Sequence, residues 1–230
     1  MSNEQYDKIV NELIIIKRKL ENYCRTNPKS QINDIYRGVC ILFTPLLLNP
    51  KIMLIGINSG AGYYYKTGKI RSWFKPLSYH EYIKENYSLA KQTKNIFREI
   101  NRFELLAESV KTNFNYFITD NTTNLKRLMR LVNYELNIDL RNKSEEWTNT
   151  MIKLVKPKII VAEGFTVFNS LMRSSCNNII VKESMNKEGN VKLGYYNDIK
   201  VFAYKRNHSS IIDSESVKRE LKKVLRRLNI

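Results

Sequence analysis

An asparagine boxed by glycines follows an apolar run in KIMLIGINSGAG, Lys51 to Gly62. An amide is no base at any useful pH. The Asn58 carbonyl oxygen can only accept a hydrogen bond, which orients its donor, and favour nearby positive charge. Gly56, Gly60 and Gly62 would let backbone approach a ligand closely. Two phosphate cradles fail in this loop: the glycines do not fit GxGxxG, and a Walker A would need glycine at Tyr63 and Ser or Thr at Ile70. Nucleotide hydrolysis is therefore disfavoured. The plain alternative is that Asn58 caps the turn or helix after the strand.

Aromatic and cationic side chains crowd the same stretch. Tyr63, Tyr64, Tyr65, Trp73 and Phe74 offer stacking faces, and Lys66, Lys69 and Arg71 could grip phosphates. With fourteen tyrosines in the chain, plain packing is the competing use of several of them. A nuclease is disfavoured, because no clustered acidic metal-ligand set occurs. Cys24, Cys40 and Cys176 are odd in number and far apart, which indicates neither a disulfide framework nor a CxxC metal site. His80, in SYHEY, reads as a helix start.

The elements that would position these groups alternate along the chain. Apolar residues at Ile9, Leu13, Ile16 and Leu20 predict a helix over 4–24, and a second helix is expected over 33–48, interrupted at Pro45. Residues 52–57 form a continuously apolar strand of the kind buried on both faces. Two helices with a break are expected over 79–110, a second strand at 115–119 (NYFIT) and a short helix at 125–132. A further helix is expected over 144–154 with Ser144 as N-cap, then a third strand at 158–162 and a helix at 166–173. Short strands are expected at 179–182, 191–195 and 200–204. The closing helix, 214–228, turns Val217, Leu221, Val224, Leu225 and Leu228 inward and leaves its basic face to solvent. This alternation predicts a three-layer α/β/α sandwich on a mainly parallel sheet. The chain reads as one domain, a helical preface over 1–49 and an α/β core over 50–230.

Composition narrows the partner. Hydrophobic residues make up 43% of the 230, too many for a disordered chain, and no run approaches the roughly 18 apolar residues that cross a bilayer. The acidic start of the chain is unlike a signal peptide, so a cytoplasmic protein is the expectation. A net charge of +17 and a pI near 9.7 point to a polyanion, most simply nucleic acid. An AT-rich genome would raise the lysines but not their surplus over acids.

In open parallel sheets ligands sit beyond the carboxyl ends of the strands, which returns attention to the loop after Ile57. There GINSG resembles the GINPG motif of the mismatch-specific branch of the uracil-DNA glycosylase superfamily. RNHSSI, Arg206 to Ile211, resembles that superfamily's second motif, and KPKIIVAEGFTVFNSL is similar to its strand, glycine and helix unit. The resemblance covers roughly residues 50–228. It implies a DNA glycosylase that flips out a pyrimidine, uracil or a cytosine-type and perhaps modified base, and hydrolyses its N-glycosidic bond in base excision repair or in defence against foreign DNA. Asn58 matches the water-positioning residue, with Gly56, Ile57 and Ser59 around it.

The second motif has two registers. Asn207 can be its first residue, with His208 in the proline position and Ser209 as motif serine; or His208 is first and Ser210 the serine. Asn207 is preferred, and His208 could still hydrogen-bond the leaving group. Ile211 and Ile212 fall where the family carries the apolar wedge that unstacks a base, although packing against the following helix is nearly as good a use. Arg206, with Lys66, Lys69 and Arg71, would contact phosphates, and Trp73 or Phe74 comes nearest to the family's stacking aromatic. An asparagine commonly ends the family's second strand and reads the base. Aligned on NYFIT, that position holds Asp120, with Asn121 one place later; Asp120 would favour an exocyclic amine, Asn121 uracil. Both motifs lack the family's proline. No cofactor or metal is implied, and three cysteines argue against the iron-sulfur branches, which need four. The rival reading is a catalytically silent DNA-binding protein of the same fold.

Overall fold

The structure, a computed structural model, describes residues 4–174, 184–207 and 209–230. It is mixed α/β and divides into two compact units, each assembled from three chain segments. Residues 1–41, 57–75 and 113–154 make one unit; residues 42–56, 76–112 and 155–230 make the other. The amino-terminal helices thus belong to the unit that carries Asn58.

The first unit is built on α1 (Glu4–Thr26), which buries Ile9, Leu13, Ile16 and Leu20 on one stripe, as its spacing predicts. The helix expected over 33–48 is instead the short α2 (Gln31–Ile35), N-capped by Ser30. Gly38 then takes φ +120°, and a Cβ there would stand 1.9 Å from the Arg71 carbonyl oxygen. Residues 39–43, VCILF, are buried throughout, which suits an extended segment covered on both faces and not a surface helix.

NYFIT is not a strand of the main sheet. It lies antiparallel to residues 37–40, with Arg37 N donating to Ile118 O, Ile118 N to Gly38 O and Cys40 N to Tyr116 O. On the other side of 37–40 run residues 71–73, held by Arg71 N to Arg37 O and Trp73 N to Val39 O. Later in this unit come α3 (Gly62–Thr67), α7 (Thr122–Leu136) and α8 (Leu140–Val155). Ser144 lies inside α8 and is no cap; Asp139 Oδ1 accepts from the amides of Arg141 and Asn142 and starts the helix. Tyr116 stacks on Trp147 with centroids 5.9 Å apart.

The second unit holds the sheet. Strands β1 (Ile52–Gly56), β2 (Val110–Asn113), β3 (Ile159–Ala162), β4 (Ser184–Met185), β5 (Val191–Tyr196) and β6 (Ile199–Tyr204) lie in the order β2-β1-β3-β6-β5-β4. The pairs β1–β3 and β3–β6 are parallel, and every residue of β1 and β3 is buried, as their unbroken apolar runs require. The edge departs from the parallel expectation, since β6–β5 and β5–β4 pair antiparallel. The real second strand begins at Val110, where a helix end was expected.

One face of this sheet packs its alternate residues Ile52, Leu54, Ile159, Val161, Phe202 and Tyr204 against α5 (Ser88–Glu99), α6 (Phe103–Ala107) and α10 (Ser214–Arg227). In the region expected as two helices, α4 (Glu81–Lys84) precedes α5 and α6. Helix α9 (Phe165–Ser174) contacts β5 at Gly194, where a Cβ would meet the Phe168 ring at 2.9 Å. After β6 the chain makes a tight hairpin of β7 (Arg206–Asn207) and β8 (Ser210–Ile211). The strand expected at 179–182 lies outside the described residues.

Candidate functional site

Three consecutive residues of the GINSG loop are tied to one stretch of chain in their own unit. The Ile57 carbonyl accepts from both the backbone and the side-chain amide of Asn115, each at 3.0 Å. Asn58 Nδ2 donates to Thr119 Oγ1 at 3.0 Å, and lies 3.4 Å from the Thr119 carbonyl. Ser59 Oγ accepts from Asn113 Nδ2 at 3.0 Å and lies 2.6 Å from the buried Cys40 thiol. The loop is therefore held by residues 113–119, a segment with three buried polar side chains, Asn113, Asn115 and Thr119.

The Thr119 hydroxyl fixes which way the Asn58 amide faces. Thr119 Oγ1 gives its own hydrogen to the Asn121 carbonyl at 2.9 Å, so toward Asn58 it can only accept. The nitrogen end of the amide must face Thr119, and the carbonyl oxygen faces away. Among the described residues no donor reaches that oxygen. Asn58 and Ser59 are half-buried and Gly60 is exposed. At Gly60 and Gly62 a Cβ would stand in open space, so packing within the chain does not demand glycine there.

Asp120 and Asn121 are engaged elsewhere. Asp120 Oδ1 faces Arg37 Nε at 3.6 Å, and its other oxygen lies 3.4 Å from Asn124 Nδ2. The Asn121 side chain accepts from Asn124 N and N-caps α7. With the second strand at Val110–Asn113, the residue at its end is Asn113, which sequence reasoning passed over because it centred the strand on NYFIT. The asparagine-rich run TNFN, which closes the buried strand, was the available signal.

The aromatic loop is a stack of rings and guanidinium groups. Arg71 lies over Tyr63 and Trp73, 4.8 and 4.3 Å from the ring centroids, and Arg37 lies 4.1 Å over Tyr64. Asp120 raises the pKa of the Tyr65 hydroxyl. Lys66 and Lys69 are exposed; Trp73 and Phe74 are half-buried, and the Phe74 carbonyl accepts from Tyr6 Oη.

The second-motif residues fall in the other unit. Asn207, Ser209 and Ser210 are exposed on the β7–β8 hairpin, while His208 lies outside the described residues. Ile211 does not project as a wedge: it is 8% exposed, sits in the core with α5 and α10, and its amide donates to Gln92 Oε1. Ile212 is half-buried and its amide donates to the Lys205 carbonyl.

This unit also contains a buried carboxylate that sequence reasoning missed. Glu163, one residue beyond the carboxyl end of β3 and 3% exposed, accepts from Tyr82 Oη at 2.6 Å and Tyr204 Oη at 3.4 Å. Burial, reinforced by this carboxylate, pushes both tyrosine pKa values far up. Burial works against the charge of Arg206, but Glu163 and the tyrosines outweigh it and raise its pKa. Arg206 is thus directed to an internal charge as well as to solvent. A single acidic residue after a strand makes no pattern in a sequence, which is why it escaped notice.

Comparison of the chain with protein-family models and with curated proteins gives no match. No helix among the described residues is long and apolar enough to cross a membrane.

Proposed function

We propose that this protein is a monofunctional DNA glycosylase of the uracil-DNA glycosylase superfamily, with its layers arranged as an α/β/α sandwich, and that it hydrolyses the N-glycosidic bond of an extruded pyrimidine. One observation carries the reading: the Asn58 carbonyl oxygen is turned away from Thr119 with no donor from the described residues upon it. That is the arrangement a water-orienting amide needs. Bond breaking passes through an oxocarbenium-like sugar, so an oriented water on one face and stabilisation of the departing base suffice without a strong base. The open space at Gly60 and Gly62 leaves room for a nucleotide beside the amide. No cofactor enters this scheme.

The base-reading position at the end of the second strand falls to Asn113, which spends one amide hydrogen on Ser59 Oγ and keeps its second hydrogen and its oxygen for a base. It takes the place of Asp120 and Asn121, which lie beyond that strand and serve Arg37 and the α7 cap. An amide can donate to O4 and accept from N3 of uracil, so uracil becomes the leading substrate over a cytosine-type base. The charge of +17 favours DNA as partner. Repair and defence against foreign DNA both use this chemistry.

The rival is a DNA-binding protein without chemistry, favoured by the exposed aromatic and basic side chains of α3, which can hold DNA whether or not a bond is cut. Incubation with duplex and single-stranded oligonucleotides bearing different pyrimidines, followed by alkali, separates the two. Strand cleavage at one base supports the glycosylase; binding without cleavage of any substrate supports the rival.

A further inference from the structure

Helix α3 buries none of its residues, yet carries Tyr63 at 41% and Tyr65 at 69% exposure, followed by Ile70 at 47%. Tyr63 meets Arg71 on one side and Tyr65 turns its hydroxyl to Asp120, yet both rings keep much of their surface in water, which marks a contact surface. Lys66 and Lys69 stand exposed among them. Arg71 lies over the rings of Tyr63 and Trp73, so its guanidinium faces the rings and its N–H edges remain to meet a phosphate. Arg37, over Tyr64, is buried and gives its N–H groups to the Asn33, Asp34 and Tyr36 carbonyls, so it supports the rings and does not contact DNA. Gly38 locks this arrangement, because only a residue without Cβ fits against the Arg71 carbonyl.

The surface therefore offers π faces and phosphate donors together. A duplex presents phosphates and base edges but keeps the faces of its bases inside the stack; unpaired strands present both. Ile211, the expected wedge for unstacking a duplex, is packed in the core of its own unit. We propose that α3 and the loop to Trp73 bind single-stranded DNA by stacking unpaired bases on Tyr63 and Tyr65, and that the glycosylase works on single-stranded or locally unpaired DNA. The choice of DNA and the catalytic clause rest on the function proposed above; the stacking surface does not.

The test is fluorescence anisotropy with labelled oligonucleotides of ordinary bases, as single-stranded DNA, as duplex and as RNA of the same sequence, at physiological ionic strength. Single-stranded DNA is expected to bind at least about tenfold tighter than duplex. Tyr63→Ala and Tyr65→Ala should each weaken it by roughly five- to a hundredfold, with duplex binding nearly unchanged. Tyr134→Ala, another exposed tyrosine of the same unit at 84% exposure, should change nothing. Circular dichroism melts of each variant confirm folding. Equal affinity for duplex, or wild-type binding by both Tyr63 and Tyr65 variants, overturns the proposal; tighter binding of RNA overturns its choice of DNA. Binding is read without base release, so an absence of cleavage on every substrate defeats the glycosylase reading and leaves the stacking result to stand by itself. Where cleavage occurs, a duplex cut faster than the single strand overturns the catalytic clause.

Discussion

Thr119 Oγ1 passes its hydrogen to the Asn121 carbonyl and accepts one from Asn58 Nδ2, 3.0 Å away, which makes the threonine the part that aims the amide. Thr119→Val keeps the shape and removes the shortest of the three acceptors of Asn58 Nδ2, leaving the Ser59 carbonyl at 3.1 Å and the Thr119 carbonyl at 3.4 Å to hold the amide less firmly. Base release is expected to fall about tenfold to a hundredfold under single-turnover conditions, while Thr119→Ser retains most of it. Asn58→Ala is expected to abolish release and largely spare DNA binding, because phosphate contacts carry the affinity. Equal loss of binding and release in a folded Asn58→Ala protein would contradict the assigned role.

Base choice should follow Asn113. Asn113→Asp replaces an amide that can donate with a carboxylate that only accepts, which leaves uracil O4 facing an acceptor at a cost of about 1–3 kcal/mol. The ratio of uracil to cytosine-derivative cleavage is expected to drop roughly tenfold to a hundredfold. Asp120→Asn should leave that ratio unchanged, since Asp120 faces Arg37. A shift at Asp120 and none at Asn113 would return base reading to the position that the NYFIT alignment indicated.

What the sequence made legible were elements whose own pattern declares them. The stripe of Ile9, Leu13, Ile16 and Leu20, the unbroken runs of β1 and β3, and the inward face of α10 each carry their burial in their spacing. Residues 37–44 and 113–119 carry no such period. They are extended because each is bonded to a distant segment, Arg37 to Ile118 and Arg71 to Arg37, and a tertiary partner is invisible in a local window. The same gap hid the second strand at Val110–Asn113 and with it the residue proposed to read the base. Asn58 was legible from its glycines; Thr119, which orients it, was not.

Glu163 is expected to matter for stability more than for chemistry. Glu163→Ala would strand the Tyr82 and Tyr204 hydroxyls and the Arg206 charge, and should destabilise by about 3–5 kcal/mol. Glu163→Gln keeps an acceptor for the tyrosines and should cost less. Urea unfolding monitored by circular dichroism, to which the helices of both units contribute, reads both, with the slope unchanged. A Glu163→Ala protein as stable as wild type would show that the network contributes nothing net.

The last expectation concerns acid. His80 Nδ1 accepts from the Tyr82 amide and N-caps α4, while Nε2 lies 3.0 Å from Ser109 Oγ. Ser109 gives its hydrogen to the Leu106 carbonyl, so Nε2 carries the proton and the ring is neutral. Burial, followed by the nearby Lys111 charge, lowers its pKa from 6.5 to about 3. Above pH 6.5 both folded and unfolded chains hold a neutral ring and the residue adds no pH dependence. As pH falls from 6.5 toward about 3 the unfolded chain takes up a proton that the folded chain refuses, and stability drops by up to about 1.4 kcal/mol per pH unit. His80→Asn offers a cap that does not titrate, so its stability should fall less steeply over that window although it starts lower at pH 7. Urea midpoints measured from pH 7 to pH 4 check this. Parallel curves for the two proteins would mean that carboxylates, not His80, set the acid sensitivity.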